Sequence, residues 1–453
     1  MWSVHVDHLQ RRHGLTVANA GAQSAEVASS TSWVLEPGVD YAQNDLASVA
    51  SGAAINCQDA CRARAGCNAF TWTPFSGGTC FLKSARGAAI PNPDATSGVL
   101  AAVNSGPTPS PPVSGVLRST HIQSRLRSGE IPLRSVNLGS WLVAEYWMSF
   151  TSPAWTDTNG VGWDGEYVTM QKLGKDKGTM QFEEHRATWL TETDIAQIAA
   201  AGMNAVRVPV GFWIVNDDPS TAASDISRVY AAGSLKYLDK LMNDWAIKYN
   251  LAVMISLHAH QGSQNGYDHS APQIKGKTTW SDSQANVDSS LQLATFLAAR
   301  YKDSVAFLGM NLMNEPSYPT DYNVLWNYYK EAYKRIRATG NDCILVTSPM
   351  IQEQGPPTEV MNAARQYRAT HLDNWTGNWI FMGEWSLAHT DDAPFTDRNL
   401  LKEFAAVQMK NFEGAHSGWA FWSWRHDDEW QELSVWSLRQ LLREGILTVP
   451  RAN

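Results

Sequence analysis

The sequence contains no run of about 18 apolar residues, the length a helix needs to cross a bilayer. It also lacks any surplus of positive charge. Lys and Arg number 36 against 44 Asp and Glu, a formal net charge of -8. A nucleic-acid binder would show a basic stripe, so that class is excluded. Cysteine is scarce and unevenly spread: Cys57, Cys61, Cys67 and Cys80 fall within 24 residues, and Cys343 stands alone in an apolar run. Four cysteines so close imply a small disulfide-stapled domain and an oxidising compartment. The spacing C-x3-C-x5-C-x12-C suits zinc poorly, and no His lies between Cys57 and Cys80. Yet the opening MWSVHVDHLQRRHGLTVANAG lacks the apolar core of a secretory signal, so a natural start upstream of Met1 is expected.

What is present is a chain of 453 residues, 43% hydrophobic, with 20 Trp against 14 Tyr and 13 Phe. That composition is globular rather than disordered. Seventeen of the tryptophans follow residue 117, where flat indoles would either fill a core or stack on sugar rings. Four regions are expected: a disordered segment 1–32, a cysteine domain 33–103, a linker 104–116 containing NSGPTPSPPVSG, and one large domain 117–453.

The large domain alternates apolar strand-like runs with helical patterns. Strands are predicted at 134–138, 205–210, 252–258, 306–313, 344–347, 380–383 and 419–424. Helices are predicted at 191–201, 235–249, 289–301, 323–339, 359–370 and 397–411. Such alternation implies a parallel sheet, and continuously apolar strands imply burial on both faces. An α/β fold of the (β/α)8 TIM-barrel type fits the length, and no G-x-G-x-x-G turn supports a doubly wound sheet instead. In such barrels functional groups gather at strand C-terminal ends. Here those ends carry Asn137, Arg207, His258, Asn314-Glu315, Glu384 and Trp424.

Glu315 directly follows an apolar strand in FLGMNLMNEP, and Glu384 sits near the end of another in WIFMGEWSLA. A carboxylate in such surroundings is costly unless hydrogen-bonded or functional. Two at one barrel mouth suit glycoside hydrolysis, in which retaining enzymes hold the pair about 5 to 5.5 Å apart. Arg207, leaving a strand beside Glu384, supplies a charge partner, which could equally be a plain structural ion pair.

The ordered segments RSVNLGSWLVAEYW, NAVRVPVGFW, LHAHQGSQNGYDHS, MNLMNEPS, MGEWS and GWAFWSWR resemble the secreted exo-β-1,3-glucanases of glycoside hydrolase family 5, from about residue 133 to 447. The resemblance implies a retaining enzyme releasing glucose from β-1,3-glucan ends, monomeric, with no metal or cofactor. It places the acid/base on Glu315 and the nucleophile on Glu384. It assigns sugar contacts to Glu145, Arg207, His258, Asp268, Asn314 and Trp424, and an aromatic entrance to Tyr267. His260 and His269 depart from the family pattern. An extracellular or cell-wall setting follows.

One feature breaks that pattern. Glu315 and Glu384 are 69 residues apart, and only 344–347 reads as a strand between them. The segment QEQGPPTEVMNAARQYRATHLDNW offers no sixth strand of the family kind; Tyr367 and His371 lie within a helical pattern. A barrel one strand short must close badly or recruit another segment. A skipped coding segment would account for both the gap and the absent leader.

The region 33–103 resembles a PAN/Apple module, which implies Cys57–Cys80 and Cys61–Cys67 pairs; the sequence alone allows three connectivities. Such modules take carbohydrate or protein ligands. Two alternatives to the exo-glucanase stay open: an endo-acting or other-linkage β-glucanase, and a glucan-binding wall protein with an inactive barrel. Asn374-Trp-Thr376 is the only N-glycosylation signal.

Overall fold

The computed structural model of the chain describes residues 6–10, 33–51, 56–100, 120–221, 223–350, 372–373, 379–388, 397–430 and 433–450. Two compact units are present: Gly14–Pro112, and Met1–His13 together with Val113–Asn453. The first strand, β1 (Val6–Gln10), belongs to the second of these.

The unit within Gly14–Pro112 is an antiparallel sheet of β2 (Trp33–Tyr41), β3 (Asp45–Ala50), β4 (Ala69–Thr73), β5 (Thr79–Lys83) and β6 (Ala89–Leu100), in the order β2-β6-β4-β5-β3. A helix, Cys57–Arg62, is fixed by the disulfides Cys57–Cys80 and Cys61–Cys67. The four half-cystines pack with Phe70 and Leu82 into a small buried core. So small a core depends on its crosslinks, each of the kind whose loss costs about 2–5 kcal/mol. The turn into β5 requires glycine at Gly78, where φ is +115° and a Cβ would lie 2.1 Å from the Ser51 carbonyl oxygen.

The larger unit is a closed eight-stranded barrel, in the order β1-β11-β10-β9-β8-β7-β13-β12. Its strands after β1 are β7 (Leu133–Asn137), β8 (Ala205–Gly211), β9 (Ala252–Ala259), β10 (Phe307–Asn311), β11 (Ile344–Thr347), β12 (Trp379–Trp385) and β13 (Gly418–Phe421). All seven predicted strands are therefore present. Every residue of β8, β9 and β10 is buried, as strands covered on both faces must be. Helices Glu192–Ala200, Gln284–Tyr301, Tyr322–Ala338 and Arg398–Phe412 match predicted helices, and Leu235–Lys240 opens a helical stretch continuing to Lys248. The predicted helix at 359–370, Tyr367, His371, the Asn374 signal and the linker lie outside the described residues.

Two findings differ from the sequence reading. Helices Glu166–Leu173 and Lys175–Trp189 were not foreseen, because both are weak in apolar periodicity and the second is rich in charge. The second concerns residues 1–32, expected to be disordered. Within them β1 runs antiparallel between β11 and β12, pairing His8 with Thr347 on one side and with Ile380 on the other. The remaining barrel pairs are all parallel. With one parallel strand too few, β11 and β12 would each expose a row of unpaired backbone groups. The N-terminal segment fills that gap.

Candidate active site

The site is built around Arg207, which lies on β8 and has no exposed surface. Its Nη1 donates to Glu384 Oε1 at 2.6 Å and to Asn137 Oδ1 at 2.9 Å. Its Nη2 donates to Asn311 Oδ1 and Asn314 Oδ1, both at 2.8 Å. One guanidinium thus ties together β7, β10, β12 and the loop after β10. Its planar fork suits this better than an ammonium would. Asn137 is itself held by donating to the carbonyls of Gly383 and Phe421.

Asn314 and Glu315 follow β10. The Asn314 amide nitrogen is 3.4 Å from His258 Nε2, and Gln264 donates to its carbonyl at 2.7 Å. Asn265 donates to the Glu315 carbonyl at 3.0 Å. These loop contacts hold Glu315 at φ +47°, a left-handed backbone that a β-carbon disfavours and that recurs at functional sites. Its carboxylate meets His269, Nε2 to Oε2, at 2.8 Å. Glu384 and Glu315 are both at least nine-tenths buried.

Glu145 sits in the loop after β7, 1% exposed. Trp147 Nε1 donates to its Oε2 at 2.9 Å, while its Oε1 has no hydrogen-bond partner among the described residues. Burial pushes this carboxyl up to about 8; His269 works against the rise, and Asp268 and Glu384 add to it. The unforeseen helices hold this loop: Trp141 Nε1 donates to the Arg186 carbonyl, Trp189 Nε1 to the Gly139 carbonyl, and Glu166 accepts from the Ala144 amide. Tyr267 and Asp268, half-buried, belong to the loop after β9, and Tyr267 leans on His269 with ring centroids 5.6 Å apart.

Trp424 is not where the sequence reading put it. Its indole N–H donates to Asp194 Oδ1, at the start of helix Glu192–Ala200, and the ring edges a cavity lined also by Gln197, Ala201 and Arg439. Trp424 therefore packs in the helical layer. The indole beside the site is that of Trp422, lying parallel to His258 with centroids 5.6 Å apart and planes 3° apart. Strand β13 ends at Phe421, so the period-two alternation that would have put both indoles on one face does not extend to them. His260, left unassigned, is turned into the core, with Ser290 Oγ on Nδ1 and the Leu257 carbonyl on Nε2. Missed by the sequence reading were Trp422, Asn311 and the His269 contact. Only Asn311 had a readable signal, as a polar residue inside an apolar strand. Among the described residues, no group of three or more His, Cys, Asp or Glu is arranged to hold a metal ion.

The family Cellulase (glycosyl hydrolase family 5) matches residues 170–379, and the PAN domain family matches residues 39–83. A glucan 1,3-beta-glucosidase of Blumeria graminis is 27% identical over 388 residues, covering 70% of this chain and 87% of that protein. One of Schwanniomyces occidentalis is 28% identical, covering 71% and 88%. Among solved structures, a rutinosidase from Aspergillus niger superposes with a TM-score of 0.58 at 18% identity, over 70% of this chain and 98% of that one, a likeness of fold. The chain thus joins a PAN domain to a glycosyl hydrolase family 5 domain, and is a glycoside hydrolase.

Proposed function

We propose that the barrel is a retaining exo-β-1,3-glucanase, in which Glu384 is the nucleophile and Glu315 the acid/base. The observation that carries this reading is the arrangement around Arg207. One buried guanidinium binds the Glu384 carboxylate and anchors Asn314, the residue next to Glu315. Two carboxyls with separate partners, an arginine for one and a histidine for the other, suit two different tasks. Glu384 attacks the anomeric carbon while Glu315 protonates the departing oxygen; water then cleaves the glycosyl ester with Glu315 as base. Asn314 is placed to bind a sugar hydroxyl, and the free Oε1 of Glu145 awaits another. Trp422 offers an apolar face to the ring, with Asp268 and Tyr267 at the rim.

The relatives named glucan 1,3-beta-glucosidase support β-1,3-glucan as the substrate and an extracellular or cell-wall setting. The PAN domain would add a second carbohydrate or protein contact near the same polymer, raising local concentration.

Incubation with a soluble β-1,3-glucan tests the reading. Glucose alone, first appearing as the β-anomer, is expected, and Glu384→Gln should abolish it. A ladder of oligosaccharides would indicate endo action, and an α-anomer would overturn the retaining mechanism. The antiparallel β1 favours one other reading, a glucan-binding protein with an impaired barrel; binding without release would establish it.

A further inference from the structure

His269 lies in the short turn Asp268–Ser270 of the loop after β9, and its side chain is 16% exposed. Nothing in the proposed chemistry requires a histidine there. Its ring is nevertheless held on several sides. It stands edge-on to His258 at 5.4 Å and leans on Tyr267 at 5.6 Å. Nε2 is 2.8 Å from Glu315 Oε2 and 3.0 Å from Asn265 Nδ2. The Asn265 amide cannot turn over without losses, since its Oδ1 accepts from the Tyr267 N–H and its Nδ2 donates to the Glu315 carbonyl. A protonated Nε2 therefore has Glu315 as its acceptor.

The charges that face His269 come from three elements. Among the described residues, Asp268 lies on its own turn, Glu145 on the loop after β7 and Glu315 on the loop after β10; His258 on β9 and Tyr267 on the same loop are titratable groups in contact, and Arg207 is engaged with Glu384 beyond them. Three carboxyls around one imidazole favour its charged form. Burial lowers the imidazole's proton affinity, but Glu315 first, then Glu145 and Asp268, outweigh it and hold the group well above the ordinary histidine range.

We propose that His269 is a positioning residue that sets the pH range of the reaction: as a fixed imidazolium against Glu315, it draws that carboxyl's proton loss to lower pH and confines turnover to acidic media. This rests on the reading of Glu315 as the acid/base. The first step needs Glu315 protonated, so kcat/KM falls as pH rises past the point where Glu315 loses its proton. A cation in contact stabilises the carboxylate and moves that fall toward acid, by about 1–3 pH units for an opposite charge this close. In the second step the same cation favours the ionised Glu315 that takes a proton from water. The net proton count is unchanged: the proton given to the departing oxygen is recovered from the attacking water.

The test is the pH dependence of kcat/KM on a laminari-oligosaccharide for the full chain. In His269→Gln, which can still donate to Glu315 but carries no charge, the alkaline limb should move up by about one pH unit or more. In His269→Lys, which keeps a cation, the limb should stay close to its original place. A limb unmoved in His269→Gln, with kcat/KM merely lower at every pH, would overturn the inference and leave a structural role. Glu315→Gln separates this from failure of the underlying reading. If the alkaline limb survives in Glu315→Gln, the acid/base assignment itself is wrong. If it disappears there yet is unmoved in His269→Gln, only the role of His269 is lost.

Discussion

Arg207 Nη1 lies 2.6 Å from Glu384 Oε1, with the guanidinium wholly buried and the carboxylate side chain 11% exposed. The ion pair is also a geometric device, because the same arginine holds three asparagines. Arg207→Lys keeps the charge but cannot reach all four acceptors. A misplacement of about 1 Å can cost ~100-fold in rate, so kcat/KM should fall by about that factor while KM changes less. Steady-state kinetics on a soluble β-1,3-glucan checks this; activity within threefold of the parent would show that charge alone suffices.

Trp422 and Trp424 should separate by readout. Trp422→Ala removes the face parallel to His258 and should lower kcat/KM by about tenfold or more, the value of one aromatic stacking contact. Trp424→Ala empties a buried site and removes one donor to Asp194, which keeps Arg439 and Thr191; it should cost ~3–5 kcal/mol of stability. Denaturant unfolding together with kinetics distinguishes them. The reverse pattern would restore the assignment made from sequence.

Stability should depend on pH through four fully buried groups. Burial raises Glu145 to about 8 and Glu166 to about 7, with Arg186 opposing the rise at Glu166. A carboxyl raised in the folded state costs stability as pH climbs from its unfolded value of about 4.5 through the folded one. Burial lowers His185 and His260 to about 3 each. A histidine held neutral costs stability as pH falls from about 6.5 toward that value. The two trends oppose one another between about 4.5 and 6.5, so Tm should peak near pH 5–6 and decline on both sides. Glu145→Gln should flatten the alkaline decline, as a pH series of thermal unfolding would record. An unchanged decline would mean that Glu145 ionises in the folded state with its ordinary proton affinity.

Leu9→Pro tests the N-terminal strand through its backbone. Leu9 pairs with Val346 on one side and Trp379 on the other, so losing its N–H breaks the ladder whichever way it points. The substitution should cost about 3 kcal/mol and lower Tm. An identical Tm would show that the barrel does not depend on β1.

The legible parts of this molecule were those with a local signal. Strands β8 to β10 declared themselves because both faces are buried and every position is apolar or a recognisable exception. Arg207 and Asn311 are such exceptions, and they are hydrogen-bonded to one another in the candidate site. Strand β1, Val-Asp-His-Leu-Gln, mixes polar and apolar residues and finds its partners only at the far end of the chain. The helix Lys175–Trp189 carries seven charged residues or histidines in its fifteen, and so read as solvent-facing although Phe182, His185, Arg186 and Trp189 are buried. The choice between Trp422 and Trp424 depended on backbone geometry past a strand end, which no periodicity encodes.

The position of β1 has a consequence for how the chain is made. Of the barrel strands it leaves the ribosome first, and β11 and β12 follow more than 300 residues later. Until then β1 has no barrel neighbours, and the disulfide-bonded unit between β1 and the other barrel strands can complete itself. Barrel closure is thus among the last events of synthesis and the most non-local, the kind of pairing that folds slowly and leaves strand edges open to other chains. A nascent chain released before β12 emerges would carry that open edge, and its fate would depend on what covers it first.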